Sequence, residues 1–155
     1  MTKEQIISSN IAGRFPKLKE KIRIARERRI FTDVPECIFY ELCDFARDRL
    51  NFSSLVCIVG TDEGENLAAL YVLAADDGIL LNVRRFVPRS TPVITTLTGS
   101  YANAEYYERE LADMLGFRVE GLPPGPRYPL PDDWPEGQYP LRKDWRPEML
   151  GGKEA

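Results

Sequence analysis

Residues 53–87 read SSLVCIVGTDEGENLAALYVLAADDGILLNVRRFV, and they contain the strongest strand pattern in the sequence. It contains three apolar runs of strand length, 53–60, 66–75 and 78–87,. The segments TDEGE and DDG between the runs are rich in Asp and Gly, which favour tight turns. Three strands joined by such short connections predict an antiparallel meander.

Two further patterns precede the meander. Apolar residues at helical spacing predict a short amphipathic helix over residues 3–14, which ends before Pro16,. The sequence KIRIARERRIFTDV (21–34) alternates apolar and polar residues, with a charged break at 26–28. This alternation predicts two short strands or one long bent strand.

Two more helices complete the pattern. Pro35 suits a first helical turn, and one apolar face then continues to Asn51,. The stretch YANAEYYERELADMLG (101–116) also has one apolar face and stops at Gly116, a residue typical of helix ends,. The order of elements predicts an α+β fold, a two-layer sandwich. It has a mixed, largely antiparallel sheet of four or five strands and about three helices.

Composition restricts the class of protein. A chain of 155 residues with 43% apolar content can bury one core, so we expect a single domain over residues 1–116 and a tail over 117–155,. The net charge of −3, with both signs interspersed, makes nucleic acid an unexpected partner,. No apolar run is long enough to cross a bilayer, and the N-terminus lacks a secretory pattern,. We therefore expect a cytoplasmic protein that reaches the membrane only through partner subunits.

The protein has no histidine, the usual general base and the commonest metal ligand,. Cys37, Cys43 and Cys57 are widely spaced and form no C-x-x-C pair, so they are interpreted as small buried residues,. No phosphate-binding glycine motif is present in the sequence,. Adjacent carboxylates such as Asp62 and Glu63 are typical of solvated turns. We expect the protein alone to hold no metal, flavin or nucleotide.

Charged residues are dense on the last predicted helix, namely Glu108, Arg109, Glu110 and Asp113. Three interpretations remain open. One carboxylate could be a general acid with a raised pKa. Alternatively, the group is a solvated helix face in which Arg109 pairs with Asp113, or an ion-pair network that faces a partner.

The tail, residues 117–155, contains eight of the 12 prolines and both tryptophans, so helix and central strand are disfavoured there,. Aromatic and arginine side chains are enriched in protein interfaces. We therefore predict an extended arm that wraps a partner, is protease-sensitive in the isolated protein and is the principal attachment. Its candidate partner-binding residues are Arg127, Trp134, Tyr139, Leu141, Arg142, Lys143, Asp144 and Trp145.

The stretches YYERELADMLGFRVEG (106–121) and LPDDWPEGQYPLRKDW (130–145) resemble a family signature. It is that of the 30 kDa (C-type) subunit of NADH-quinone oxidoreductase and its counterparts in energy-converting NiFe hydrogenases and formate hydrogenlyases. The E-R-E-x-x-D-M-x-G run and the later P-L-R-K-D run carry the resemblance. Where that family reads G-H-P-D, this sequence has Leu122 in place of the histidine. The D-D-W-P-E-G motif (132–137) resembles the hydrogenase branch of the family more than the NADH-quinone oxidoreductase branch.

The resemblance implies an accessory subunit without a cofactor. It also implies that the protein packs on the D-type subunit of such a complex, or on the NiFe hydrogenase large subunit, beside a neighbouring iron–sulfur subunit. Its C-terminal segment would lie along that partner. Two other interpretations of the residues compete with this one. The first is a small carboxylate-based enzyme that uses the Glu108–Asp113 cluster, and the second is a free-standing protein-binding adaptor.

Overall fold

A computed structural model describes residues 1–151 and shows an α+β fold. Its helices and strands lie close to the predicted segments, so the predicted fold class is confirmed. The helices are α1 (Lys3–Arg14), α2 (Glu36–Leu50) and α3 (Ala104–Leu115). The strands are β1 (Ile22–Arg26), β2 (Arg29–Asp33), β3 (Ser54–Asp62), β4 (Asn66–Ala74), β5 (Leu80–Pro88), β6 (Val93–Thr95) and β7 (Arg118–Glu120).

The main sheet has five strands in the order β1-β2-β5-β4-β3. The meander is antiparallel throughout, with Tyr71 of β4 opposite Val83 in β5 and Ile58 in β3. By contrast, β2 runs parallel to β5, with Ile30 beside Leu81. The sheet is therefore mixed, as predicted.

A second, two-stranded parallel sheet joins β6 to β7. The sequence patterns did not predict it, because each strand is only three residues long. Such short strands carry no usable alternation of apolar and polar residues.

Local chemistry fixes the helix ends. The side chain of Thr2 accepts from the backbone N–H of Gln5 while the Gln5 side chain accepts from the backbone N–H of Thr2, which forms a capping box at α1,. Helix α2 ends at Asn51, which has φ 59° in the left-handed region that asparagine tolerates,. Helix α3 ends at Gly116 with φ 77°, where an L side chain would be strained,.

Helices α2 and α3 cover the same face of the sheet. The Phe39 ring of α2 lies 4.6 Å from that of Tyr71 in β4. Helix α3 crosses β3 at Gly60, where an added Cβ would overlap the side chains of Leu111 and Leu115. Glycine at this position therefore allows the close approach without displacement of the two leucine side chains. The two layers enclose the core, and each large apolar side chain buried there contributes about 1.5–3 kcal/mol.

The three cysteines differ in burial. Only Cys43 is buried, while Cys57 is half-buried and Cys37 is exposed, so the interpretation of all three as buried residues was wrong. No helix within residues 1–151 combines the length and the apolar character needed to cross a bilayer.

Candidate functional site

The tail lies against its own domain. Phe117 is buried and β7 follows it directly, so the folded part of the protein continues past residue 116. From Gly121 to residue 151 the only regular element is a 3-10 turn, Pro147–Leu150. Three groups of polar contacts hold this segment to α3 and to the β3–β4 hairpin. An arm that stands away from its domain is therefore not confirmed, and residues 152–155 of the predicted arm lie outside the described part.

The first group is centred on Asp113 of α3. Its Oδ1 accepts from Arg127 Nε at 3.0 Å, and its Oδ2 accepts from the backbone N–H of Leu130 at 3.1 Å. Arg127 also donates to the carbonyl of Trp134 at 2.7 Å. The carboxylate thus orders residues 127–134 beside the helix. We call these contacts the Asp113 anchor.

Arg109 does not pair with Asp113, so the open interpretation that included this pair is not supported. Its guanidinium contacts Glu105 at 2.8 Å, one turn earlier on α3, and also donates to the carbonyl of Pro123. An acidic residue four positions before a basic one is the more favourable order on a helix. Asp113 meanwhile takes Arg127 from the tail, which helix spacing alone could not reveal.

The second group uses the open carbonyls at the end of α3. The backbone N–H of Leu141 donates to the carbonyl of Met114 at 3.0 Å, and Arg142 Nε donates to that of Leu115 at 2.8 Å. A cation at this end also interacts favourably with the helix dipole. The Arg142 guanidinium lies 4.6 Å from the centre of the Tyr139 ring. Arg142 and Leu141 therefore cap the helix from the tail.

The third group is formed by Asp62 at the end of β3, whose side chain is 1% exposed. Its Oδ2 accepts from the backbone N–H of Lys143 at 2.8 Å and from Arg89 Nη1 at 2.5 Å, and its Oδ1 accepts from the backbone N–H of Gly64 at 2.9 Å. Arg89 also pairs with the exposed Asp144. We call this group the Asp62 clasp.

The interpretation of Asp62 as a solvated turn former was wrong. Burial works against its charged form, yet the hydrogen bonds from Lys143, Gly64 and Arg89 hold the pKa of this carboxyl below its usual value,. No sequence pattern indicated that Arg89 pairs with Asp62 and Asp144. An Asp followed by Glu-Gly is typical of a turn, and the residues next to Asp62 do not indicate its contacts with Arg89 and Lys143.

The two tryptophans contact each other within the tail. Their ring centroids are 6.1 Å apart. Trp134 Nε1 donates to the Gln138 carbonyl at 2.8 Å, and Trp145 Nε1 donates to the Gln138 side chain at 2.9 Å. Both indoles are half-buried and keep part of their surface exposed.

Glu108 is completely buried and does not face a partner in this structure, although it was predicted as a partner-binding residue. Its Oε1 accepts from the backbone N–H of Leu97 at 2.6 Å, and its Oε2 accepts from Thr96 Oγ1 at 2.5 Å. Burial raises the pKa of Glu108, although these two hydrogen bonds oppose the shift. With no exposed surface, the carboxyl holds the 96–97 loop and is closed to a substrate in this conformation.

Glu110 lies on the opposite side of α3 and lines a surface groove between that helix and β3. The groove has a volume of about 280 Å³ and is lined mainly by apolar side chains, including Met114, Val59 and Leu141. The half-buried Cys57 also lines it. Desolvation raises the pKa of this thiol, and the nearby charge of Glu110 adds to the effect. We call this feature the β3–α3 groove.

Exposed large apolar side chains are concentrated on three elements, namely β3, α3 and the tail. Of the ten in residues 1–151, six lie on β3, α3 or the tail. These six are Val56, Val59, Tyr106, Tyr128, Leu141 and Met149. The rings of Tyr106 and Tyr128 pack edge to face, with centroids 6.4 Å apart, and so join α3 to the tail. We call the surface formed by these three elements the β3–α3–tail face.

The predicted site residues thus divide by where they lie. Asp113, Arg127, Arg142, Asp144 and the backbone N–H groups of Leu141 and Lys143 hold the tail to the domain. Glu110, the Leu141 side chain and the half-buried tryptophans remain available at the surface. Among the described residues, no group of three His, Cys, Asp or Glu side chains could hold a metal ion.

Comparison with known proteins gives a consistent result. The family described as "Respiratory-chain NADH dehydrogenase, 30 Kd subunit" matches residues 32–149. The C subunit of the F420H2 dehydrogenase of Methanosarcina mazei is 31% identical over 142 residues, which covers 90% of this protein and 89% of that one. The membrane-bound hydrogenase subunit beta of Pyrococcus furiosus is 29% identical over 150 residues, which covers 93% of this protein and 87% of that one.

A solved structure supports the same conclusion for the fold. One component of the membrane-bound sulfane sulfur reductase, an archaeal respiratory membrane complex, aligns with a TM-score of 0.83 at 25% identity. The alignment covers 96% of this protein and 88% of that component. Most of the tail therefore lies within the aligned region.

Proposed function

Because the protein belongs to the family of the 30 kDa subunit of respiratory-chain NADH dehydrogenase, we propose that it is a non-catalytic accessory subunit of a complex I-type membrane oxidoreductase. In this proposal it docks on a D-type subunit, or on the large subunit of an energy-converting NiFe hydrogenase. It lies beside an iron–sulfur subunit at the cytoplasmic face of the membrane. It supports electron transfer coupled to ion translocation by holding its neighbours in position.

The observation that carries this proposal is the β3–α3–tail face. Exposed apolar side chains concentrated on neighbouring elements of a small domain are typical of a protein-binding surface. Tyr106 is 64% exposed and Leu141 is 52% exposed, and the half-buried tryptophans lie on the same tail. Tyrosine and tryptophan are among the residues that contribute most to binding energy at interfaces.

The anchored tail gives this surface a defined shape. The Asp113 anchor, the contacts at the end of α3 and the Asp62 clasp keep residues 127–144 on the domain before any partner arrives. A segment that is already ordered loses less conformational entropy on binding than a free one. In this proposal the tail contributes as part of a preformed surface, in contrast to the expected arm that is protease-sensitive in the isolated protein.

The names of the relatives also fit a structural role. One belongs to an F420H2 dehydrogenase, one to a membrane-bound hydrogenase and one to a sulfane sulfur reductase. These reactions differ in electron donor or acceptor. A subunit that recurs across them fits a scaffold better than a reaction-specific catalyst.

Purification of the complex from its own host tests the proposal. A tag placed before α1, away from the β3–α3–tail face, should recover a D-type or hydrogenase large subunit in near-equal amount, identified by mass spectrometry. The double variant Tyr106→Asp and Tyr128→Asp should lower this recovery. Ile6→Asp is the matched control, since Ile6 is 47% exposed on α1. Recovery of the wild-type protein without any such subunit would refute the proposal.

A further inference from the structure

We propose that the β3–α3 groove receives an extended segment of the partner subunit, which adds a strand to the free edge of β3 and places a lysine or arginine beside Glu110. This inference rests on the proposed function, because it names the surface and the partner chemistry of the same docking event. Three observations support it: the open edge, the apolar groove and the unpaired carboxylate.

The first observation is that the edge of β3 is unprotected from Cys57 to Thr61. This strand is the last of the sheet and is nine residues long. Near its start, Asn103 and Tyr107 donate to the carbonyls of Leu55 and Val56, each at 2.8 Å. From Cys57 to Thr61, no hydrogen bond within residues 1–151 reaches the backbone from outside the β3–β4 ladder. Every second residue there directs its N–H and C=O groups away from β4.

The opposite edge of the sheet shows the contrast. Strand β1 is only five residues long and carries Arg23 and Arg26. Short length and charged side chains are the usual protection of an edge strand against pairing. The β3 sequence SLVCIVGTD has neither lysine nor proline, and Val59 on it is 45% exposed. An apolar edge that is uncovered from Cys57 to Thr61 fits a strand that is covered in the assembled complex.

The second observation is the shape of the groove. The groove is lined by Tyr107 and Met114 of α3, by residues 57–60 of β3 and by Leu141 of the tail. Its volume of about 280 Å³ accommodates side chains that alternate along an added strand,. In this mode of recognition, backbone hydrogen bonds provide affinity and the side-chain pockets provide specificity.

The third observation is charge. Glu110 forms no ion pair and no hydrogen bond with any described residue, although it lines an otherwise apolar groove. Its neighbours one turn away on α3 are Tyr106, Tyr107, Asp113 and Met114, none of which is basic. A cation on the partner would compensate this charge. Pairing with a second copy of this protein would instead bring two acidic grooves together, which is unfavourable.

Charge reversal in the purified complex tests the inference. Because Glu110 has no partner among the described residues, Glu110→Lys should fold with an unchanged circular dichroism spectrum. It should lower recovery of the D-type or large subunit by about tenfold or more, and Glu110→Gln should lower it less. Glu20→Lys is the matched control, since Glu20 is exposed outside the groove. Equal recovery with Glu110→Lys and wild type would overturn the inference while leaving the proposed function intact. Failure of the wild-type protein to recover the subunit would overturn the proposed function itself.

Cysteine alkylation provides an independent readout on the wild-type protein. Cys57 in the groove should react with N-ethylmaleimide in the protein alone and be protected in the complex. The buried Cys43 is an internal negative control. Equal labelling of Cys57 in both states would contradict strand addition at β3. Protection of Cys57 in a dimer of the isolated protein would show that the occupant is a second copy and would overturn the choice of partner.

Discussion

Replacement of Asp62 by asparagine should release the end of the tail while the domain stays folded. In the Asp62 clasp the carboxylate accepts from Lys143, Arg89 and Gly64. An asparagine side chain at this position keeps one acceptor oxygen and turns an NH₂ group toward a donor, so at least one bond is lost and the charge is removed. Hydrogen bonds to charged groups contribute about 1.5–3 kcal/mol each.

The expected loss is about 2–4 kcal/mol, because Arg89 can still pair with Asp144,. Since about 1.4 kcal/mol corresponds to a tenfold change in an equilibrium constant, the open population of residues 140–151 should rise by about 30- to 1,000-fold. Hydrogen exchange at the Lys143 amide measures this opening directly. Trypsin cleavage after Arg142 and Lys143 should accelerate in parallel when opening and closing are fast.

Asp76→Asn is the matched control, since Asp76 accepts only from Ser53 Oγ at 2.9 Å and lies in the next hairpin turn. The wild type should also open as the pH falls. The pKa of Asp62 is lowered in the folded protein, so the clasp is complete above the ordinary value of 3.8 and is lost as pH falls through the folded value,. Unchanged exchange at Lys143 in Asp62→Asn, or equal acceleration at amides throughout the sheet, would refute a local clasp.

Three further substitutions test other contacts. Burial raises the pKa of Glu108 above 4.5, so its contribution to stability is complete below that pH and is lost as pH rises through the folded value,. Glu108→Gln should flatten this dependence in thermal melts, and a parallel profile would contradict it. Gly60→Ala should cost about 1–3 kcal/mol in urea unfolding, because its Cβ would overlap Leu111 and Leu115. Gly13→Ala in α1, with nothing within 4 Å, should not destabilise. Gly116→Ala should cost about 1–3 kcal/mol, because φ is 77° and Tyr139 lies 2.6 Å from the added Cβ. An unchanged unfolding midpoint would contradict this last expectation.

Regular elements could be predicted from the sequence because their signals are local. The helix ending at Gly116 and the meander over residues 53–87 have their apolar periodicity and their turn residues within a few positions of each other. Both lie where the patterns placed them. The charged break at 26–28 likewise separates β1 from β2.

Contacts between distant segments could not be predicted in this way. The backbone N–H of Lys143 donates to Asp62, which lies 81 positions earlier in the sequence. The residues around neither position form a pattern that indicates this contact. Proline density correctly disfavoured α-helix and central strand in the tail, whose regular elements within residues 117–151 are the short β7 and the 3-10 turn Pro147–Leu150. Aromatic content indicated a binding segment. The same features do not indicate whether such a segment contacts its own domain or another protein. Glu108 and Glu110 show the same limit, since two residues of one motif lie on opposite sides of α3.

The parallel pairing of β2 with β5 has a consequence for the order of folding. Ile30 and Leu81 are about 50 residues apart in the sequence, whereas the meander strands are joined by short turns. Closing a long loop costs more conformational entropy than closing a hairpin, and non-local contacts form late for this reason. We therefore expect the meander to form in the folding transition state, with φ-values higher at Tyr71 and Val83 than at Ile30. The β1–β2 hairpin would then join the sheet last and separate from it first. The rate at which this edge of the sheet opens would depend on the β2–β5 pairing alone.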